Sequence, residues 1–357
     1  MGKTRICDGV ALRGSTPIRT PKEICCSFEN LLKATRVCKQ GVIWKDSVAG
    51  FTKNELKNCM QLHNELMSGT YKISKYSIFV IQERKKRIIV STRIRDRVVQ
   101  RSLCDNYLYK ELTKGFIYDN CACLIGKGTD FARNRLKCHL QRYYRKYGNN
   151  GYVLKVDIHD YFGSTPHYVA KRAVDKRIKD EWAKQMVYDV IDSFNHISED
   201  KGLGLGSQIT QLVQLAVLDD LDHEIKERLK IKYYVRYMDD FVLISNNKEE
   251  LINALNLIKK RLAEMKLSIN EKKTQISQIK NGINFLGFRF TLSETGKVYM
   301  TILKNRISKA RKRLKKLSRK VDSEKLDECY QCWRHFVSKG NSYRLLSVMD
   351  IYEENLL

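Results

Sequence analysis

Tyr233–Ile244 reads YYVRYMDDFVLI. Two runs rich in aromatic and β-branched residues flank Asp239 and Asp240, a pattern of two strands joined by a tight turn. Aspartate is a favoured turn residue, so a solvent-side acidic turn is the plain reading. The flanks are too apolar for that, and carboxylates are depleted from strands and costly to bury. The turn is therefore expected to lie against something buried.

Asp157 supplies the second half of the pattern. It follows the apolar run YVLKV and opens DIHDYF. Two strands of one sheet, each delivering carboxylate at its end, would gather three negative charges. That arrangement is repulsive unless divalent cations neutralise it. Hard oxygen donors select Mg²⁺ (with Mn²⁺ as a substitute) over metals that prefer His or Cys. Two such ions, about 4 Å apart, serve an in-line phosphoryl transfer.

The charge balance names the partner class. The 357 residues carry 67 Lys and Arg against 40 Asp and Glu, a net charge of +27. Such an excess predicts a polyanion, bound through phosphate neutralisation and counterion release, in preference to an anionic membrane. No apolar run reaches the roughly 18 residues of a membrane span. The first twenty residues lack the continuous apolar stretch of a secretory signal, and Ile6 stands where a myristoylation motif wants Ser or Thr. Eleven cysteines are scattered, and the pairs Cys121/Cys123 and Cys329/Cys332 have no second pair at zinc-finger spacing. Reduced thiols in the cytoplasm are expected.

Periodicity divides the chain. Helical spacing runs from Phe28 to about Met67, with Gly69 as a stop. Residues 71–103 then read as two short strands joined by a charged turn and followed by a helix from near Asp96. GKGTDFARNRLKCHLQRYYRKYG is a glycine-containing turn entering a basic helix. GSQITQLVQLAVLDDLDHEIKERL reads as one helix, residues 248–270 as an amphipathic helix, and INFLGFRFTLSETGKVYM as a hairpin. From Lys304 to Lys320 ten of seventeen residues are Lys or Arg, yet Ile307, Ala310, Leu314, Leu317 and Val321 form one apolar stripe. That helix is expected to dock on its own protein and track phosphates, Lys309 and Arg313 among its contacts. Three prolines in all argue against long linkers. The acids of LDDLDHE (Asp219, Asp220, Asp222) resemble the aspartate-rich helix of prenyl-diphosphate enzymes, but no second such helix is present. They are read as the acidic end of a helix. His159 neighbours Asp157 but is expected on the opposite strand face, and not as a ligand.

YMDD between apolar strands resembles the YxDD signature of reverse transcriptases, and the other blocks follow in that family's order. VLKVDIHDYFGSTPH resembles the first palm motif, GLGLGSQITQ the glycine loop and its helix, LSINEKKTQI the fourth motif with Asn270, Lys273 and Thr274, and INFLGFRF the primer-grip hairpin. ERKKRIIVSTRIRDRVVQ resembles the fingers, NCACLIGKGTDFA the block that follows in bacterial members, and LDECYQCWRHFVSKGNSYRLLSVMD their thumb, with Trp333 inside a helical bundle.

The resemblance implies an α+β right-hand polymerase with fingers, palm and thumb. The divisions are an N-terminal tail and helical extension (1–70), fingers (71–150), palm (151–298, with an insertion at about 165–200) and a basic helical thumb (299–357). It implies Asp157, Asp239 and Asp240 as catalytic metal ligands, with the carbonyl of Ile158, and Asp239 as the firmer ligand of the pair. Arg87, Lys85, Ile158, Asp160, Phe162, Leu205, Gly206, Gln211 and Lys273 would surround a deoxynucleoside triphosphate, with Phe162 excluding a 2′-hydroxyl. Tyr237, Met238, Phe285, Leu286 and Gly287 would meet primer and template. Leu205 replaces a customary Gln, and Thr210-Gln211 replaces Ser-Pro, which resembles enzymes of diversity-generating retroelements. Phage-defence enzymes using a non-coding RNA, group II intron enzymes and a catalytically idle RNA-binding scaffold are the other readings. Template RNA, a DNA primer or product, and an accessory protein or second copy are the expected partners. No RNase H, integrase or HNH nuclease segment is expected among these blocks.

Overall fold

The computed structural model describes residues 19–82, 86–194, 199–204 and 206–354. The expected basic tail at residues 1–18 lies outside them. The described chain begins with four helices, α1 (Pro21–Cys25), α2 (Phe28–Cys38), α3 (Asp46–Lys53) and α4 (Glu55–Ser68). Thr20 and Glu23 form a reciprocal capping box at the start, and Gly69, at φ 75°, ends α4 as expected. The strands β1 (Ser77–Gln82) and β2 (Lys86–Ser91) pair antiparallel as a separate ribbon. Then come α5 (Ile94–Leu103), α6 (Tyr109–Thr113) and the basic helix α7 (Thr129–Tyr147).

The middle of the chain contains β3 (Tyr152–Asp157), α8 (Tyr161–Ser164), α9 (His167–Arg177), α10 (Glu181–Asp192), α11 (Gln208–Val217) and α12 (Asp219–His223). It continues through β4 (Tyr233–Tyr237), β5 (Asp240–Ser245), α13 (Lys248–Glu264) and β6 (Gln275–Gln278). One antiparallel sheet, in the order β4-β5-β3-β6, organises it. Strand residues alternate between its faces. Leu154, Val156, Tyr234, Phe241 and Leu243 pack with α9, α10, α11 and α13, while Val153, Tyr233, Val235, Val242 and Ile244 share the other core with α7.

That second core also receives β7 (Ile283–Phe285), β8 (Phe288–Leu292) and β9 (Val298–Ile302), which form a three-stranded meander. The expected two-stranded hairpin is thus extended by a third strand, because Val298–Ile302 pairs along β8. Phe285, Phe288 and Phe290 are at most 1% exposed. Burying such rings contributes about 2–3 kcal/mol each. The chain ends with α14 (Lys304–Leu317), α15 (Ser323–Ser338) and α16 (Tyr343–Glu354). The apolar stripe of α14 turns inward, with Leu314 buried and Ile307 and Leu317 half-buried, whereas Val321 lies past the helix end. Trp333 stacks on Phe336 at 5.5 Å beside them. Among the described residues no helix is long and apolar enough to cross a membrane.

The helix expected through residues 206–229 is broken. α11 stops at Val217, α12 is a single short helix, and Glu224–Arg228 is a wider π-helical turn. The buried acids beyond the break explain why: Asp219 pairs with Arg177 and Asp222 with Arg236. Asp220 pairs with Lys176 in solvent. Asp219 and Asp222 are therefore interior anions, and not simply the solvated acidic end of a helix.

Candidate active site

β3 and β5 pair so that Asp157 stands opposite Asp240, and β4 pairs with β5 so that Tyr237 also stands opposite Asp240. Met238 and Asp239 make the turn, with Met238 at φ 55°, an uncommon conformation for a side-chain-bearing residue. The N–H of Ile158 donates to the Asp239 carbonyl at 3.2 Å, which closes the end of the sheet across three strands. By strand alternation Asp157 and Asp240 lie on the face shared with α7 and the meander. β3 ends at Asp157, so His159 lies beyond the strand, exposed, rather than within it.

Cations neutralise these acids. Lys273 Nζ donates to both oxygens of Asp157 at 2.7 Å, and Lys155 Nζ lies 3.5 Å from Asp240 Oδ1 while donating to the Asn284 carbonyl. The segment carrying Lys273 is tied to the same strand end: the Asn270 N–H donates to the Asp157 carbonyl at 2.7 Å, and Thr274 Oγ1 accepts the Asp157 N–H at 3.4 Å. Burial pushes the Asp240 carboxyl up to about 7, opposed by Lys155 and reinforced by Asp239 and Asp157. Burial, with Asp157, also raises Asp239. Both shifts arise from carboxylates crowded in a poorly hydrated place.

The donor set bears on a metal. Among the described residues no three His, Cys, Asp or Glu side chains converge as a ready-made metal site. Asp240 Oδ1 is nonetheless buried without a hydrogen-bond partner, and the neighbouring donors are hard carboxylate oxygens now shared with lysine ammonium groups. In donor chemistry the site fits a hard divalent cation.

A second layer holds the turn from behind. Arg236, fully buried, forks onto Asp222 at 2.6–2.9 Å and donates to the carbonyls of Met238 (3.1 Å) and Leu215 (3.2 Å). Tyr234 donates to the same Asp222 carboxylate at 2.6 Å. Burial alone would lower Arg236, but the Asp222 carboxylate outweighs it and keeps the guanidinium charged. Sequence reasoning missed Arg236, Asp222 and Lys155. Only the apolar company of a charged residue at Arg236 could have drawn attention to it.

Phe162 and the glycine loop come together. The Leu203 N–H donates to the Phe162 carbonyl at 2.7 Å, and the Gly202 N–H to the Thr165 carbonyl at 2.9 Å. A side chain at Gly204 would collide with the Phe194 ring. Gly206 sits at φ 118° near the Val90 carbonyl, which brings the loop to the base of the β1–β2 ribbon. Phe162 is half-buried with its ring edge-on to Tyr161, and Gln211 is half-buried on α11. Asp160, exposed at φ 42°, precedes α8. Lys85 and Leu205 lie outside the described residues, and of Arg87 only the backbone is described, opposite Ile81.

The remaining positions divide by exposure. Phe285 is core, leaving Leu286 (φ 43°) half-exposed in the β7–β8 turn. A side chain at Gly287 would meet the Arg306 guanidinium. Tyr237 and Met238 are half-buried against Ala122 and Leu124. Lys309 and Arg313 are exposed on α14.

Helices on both faces of an antiparallel sheet, with acids clustered at one strand end, form the arrangement of a right-hand polymerase. Residues 81–290 match the family described as reverse transcriptase (RNA-dependent DNA polymerase), and the chain belongs to that family. It is similar to Protein YkfC of Escherichia coli (strain K12), 24% identical over 275 residues, covering 64% of this chain and 70% of that protein. Among solved structures it is similar to telomerase from Candida albicans in complex with a fragment of telomeric RNA, with a TM-score of 0.47, 11% identity and 66% of this chain covered. Apo telomerase from Candida tropicalis gives a TM-score of 0.46 at 13% identity over 63% of this chain. The chain spans 46% and 47% of those two telomerase chains.

Proposed function

We propose that this protein synthesises DNA on an RNA template, with Asp157, Asp239 and Asp240 as the catalytic carboxylates. The observation that carries the reading is the pairing of Asp157 with Asp240, beside the Asp239 turn, within the span matched to the reverse-transcriptase family. These carboxylates, with the Ile158 carbonyl, would hold Mg²⁺ once Lys273 yields Asp157. When bound, the ions would activate a primer 3′-hydroxyl and stabilise the departing pyrophosphate. Phe162 and the Gly206–Gln211 segment would border the incoming deoxynucleotide, and Leu286 and the exposed cations of α14 would lie along the primer–template duplex. Residues 71–150, 151–298 and 299–357 would serve as fingers, palm and thumb. A cognate non-coding RNA is the natural template for an enzyme of a diversity-generating retroelement or a phage-defence system, and Leu205 with Thr210-Gln211 favours the former.

Asp239→Ala combined with Asp240→Ala should abolish primer extension with deoxynucleotides while RNA binding persists. Substantial residual synthesis by that variant would overturn the assignment. Absence of synthesis by the wild-type protein, with RNA binding intact, would establish the idle-scaffold reading instead.

A further inference from the structure

α7 lies along β4 on the same sheet face as Asp157 and Asp240. The rings of His139 and Tyr143 meet Tyr233 at 5.9 and 5.4 Å, so the C-terminal part of α7 lies near the start of β4. At the other end, Asp119–Cys121 pairs with Arg236 through backbone hydrogen bonds of 3.0 Å, two residues before the catalytic turn. The buried side of α7 is Ala132, Arg133, Leu136, His139, Leu140 and Tyr143. Its outward side carries Lys137, Arg142, Arg145 and Lys146, all exposed. The helix has one acid, Asp130, already shared by Arg133 (2.5 Å) and Lys339 (3.0 Å). Lys137, Arg142 and Arg145 have no ion-pair partner among the described residues. A ridge of one sign is therefore left uncompensated.

The catalytic end of this ridge carries an aromatic ring. Tyr118 is 62% exposed, with Lys127 5.0 Å and Arg135 4.7 Å from its ring centre and Phe131 edge-on at 5.5 Å. Both cations are fixed: Arg135 donates to Asp119 at 2.7 Å, and Lys127 donates to the carbonyls of Tyr118 and Asn120. An exposed ring held in place by cations at the head of a row of free cations suits bases and phosphates of one strand. The outward face offers no apolar stripe that would enter a membrane.

We propose that the outward face of α7, headed by Tyr118, binds RNA flanking the stretch being copied, outside the catalytic cleft. The inference rests on the reading of the protein as an RNA-templated polymerase. From Lys137 to Arg145 the ridge runs about 12 Å along the helix, enough for two or three phosphates of a strand.

The test compares two single-stranded RNAs annealed to one primer: a minimal template, and the same template with a long flank. Lys137→Glu/Arg142→Glu/Arg145→Glu should weaken binding of the flanked RNA only, and lower the steepness of its log–log salt dependence by about 2. Extension on the minimal template should be unchanged, and Tyr118→Ala should reproduce the flank-specific loss in milder form. Equal binding of both RNAs by variant and wild type would overturn the proposal and leave an acidic protein as the ridge's partner. Equal losses on both RNAs would also overturn it, by assigning the ridge to the cleft. Flank-dependent binding by a wild-type protein that extends no primer would support the ridge while refuting the polymerase reading.

Discussion

Arg236→Met removes the guanidinium that joins Asp222 to the catalytic turn. Asp222 and Arg236 are at most 1% exposed, so the substitution strands a buried carboxylate whose remaining side-chain partner among the described residues is the Tyr234 hydroxyl. Breaking a buried ion pair in this way costs about 3–5 kcal/mol. Adding Asp222→Leu removes the orphaned charge and should return most of that stability. The double variant still leaves the carbonyls of Met238 and Leu215 without their donors, a cost of about 1–3 kcal/mol for each group that stays dry. Urea unfolding followed by circular dichroism should therefore rank the proteins as wild type, double variant, single variant. Single-turnover primer extension should be slow in both variants, because restored stability does not restore the hydrogen bond that holds Met238 beside Asp239. A single variant within about 0.5 kcal/mol of wild type would refute the stability argument. A double variant with wild-type extension rate would refute the positioning role of Arg236.

Two further outcomes are expected. Phe162→Ala should lower the preference for deoxynucleotides over ribonucleotides by about tenfold or more, measured as the ratio of kcat/KM values, and an unchanged ratio would remove Phe162 from sugar selection. His139 links acid to stability: burial, against the pull of Asp119, holds its imidazole below the ordinary value of 6.5. The unfolded chain then binds a proton that the folded chain does not, so stability present above pH 6.5 is lost as the pH falls below it. His139→Gln should flatten unfolding free energy between pH 6.5 and 5, and an unchanged slope there would place the acid sensitivity elsewhere.

Much of the sheet was legible in the residues. Tyr233–Ile244 folds as the strand–turn–strand its two aromatic and β-branched runs implied, although Asp240 opens β5 and only Met238 and Asp239 form the turn. The strands β1 and β2, the helix α5, the helix α14 and the stop at Gly69 followed from local periodicity and turn chemistry in the same way, whereas α13 ends at Glu264, six residues short of the expected helix over 248–270. These features depend on neighbours within a few residues. The break in the helix after Val217 and the third strand of the meander did not follow, because a buried acid's distant partner and a strand pairing outweighed local preference.

By itself the amino-acid sequence determined that carboxylates would end two strands, that a strongly basic chain would seek a polyanion, and that the blocks run in the order of a reverse transcriptase. Only the tertiary structure decided which charges meet. Lys273 reaches Asp157 across 116 residues of chain, and Arg236 joins Asp222, Leu215 and Met238 behind the sheet. Alternation within a strand says which face a side chain takes. Its partner there is set by the packing of elements far apart in the chain, and burial then makes that choice of partner energetically decisive.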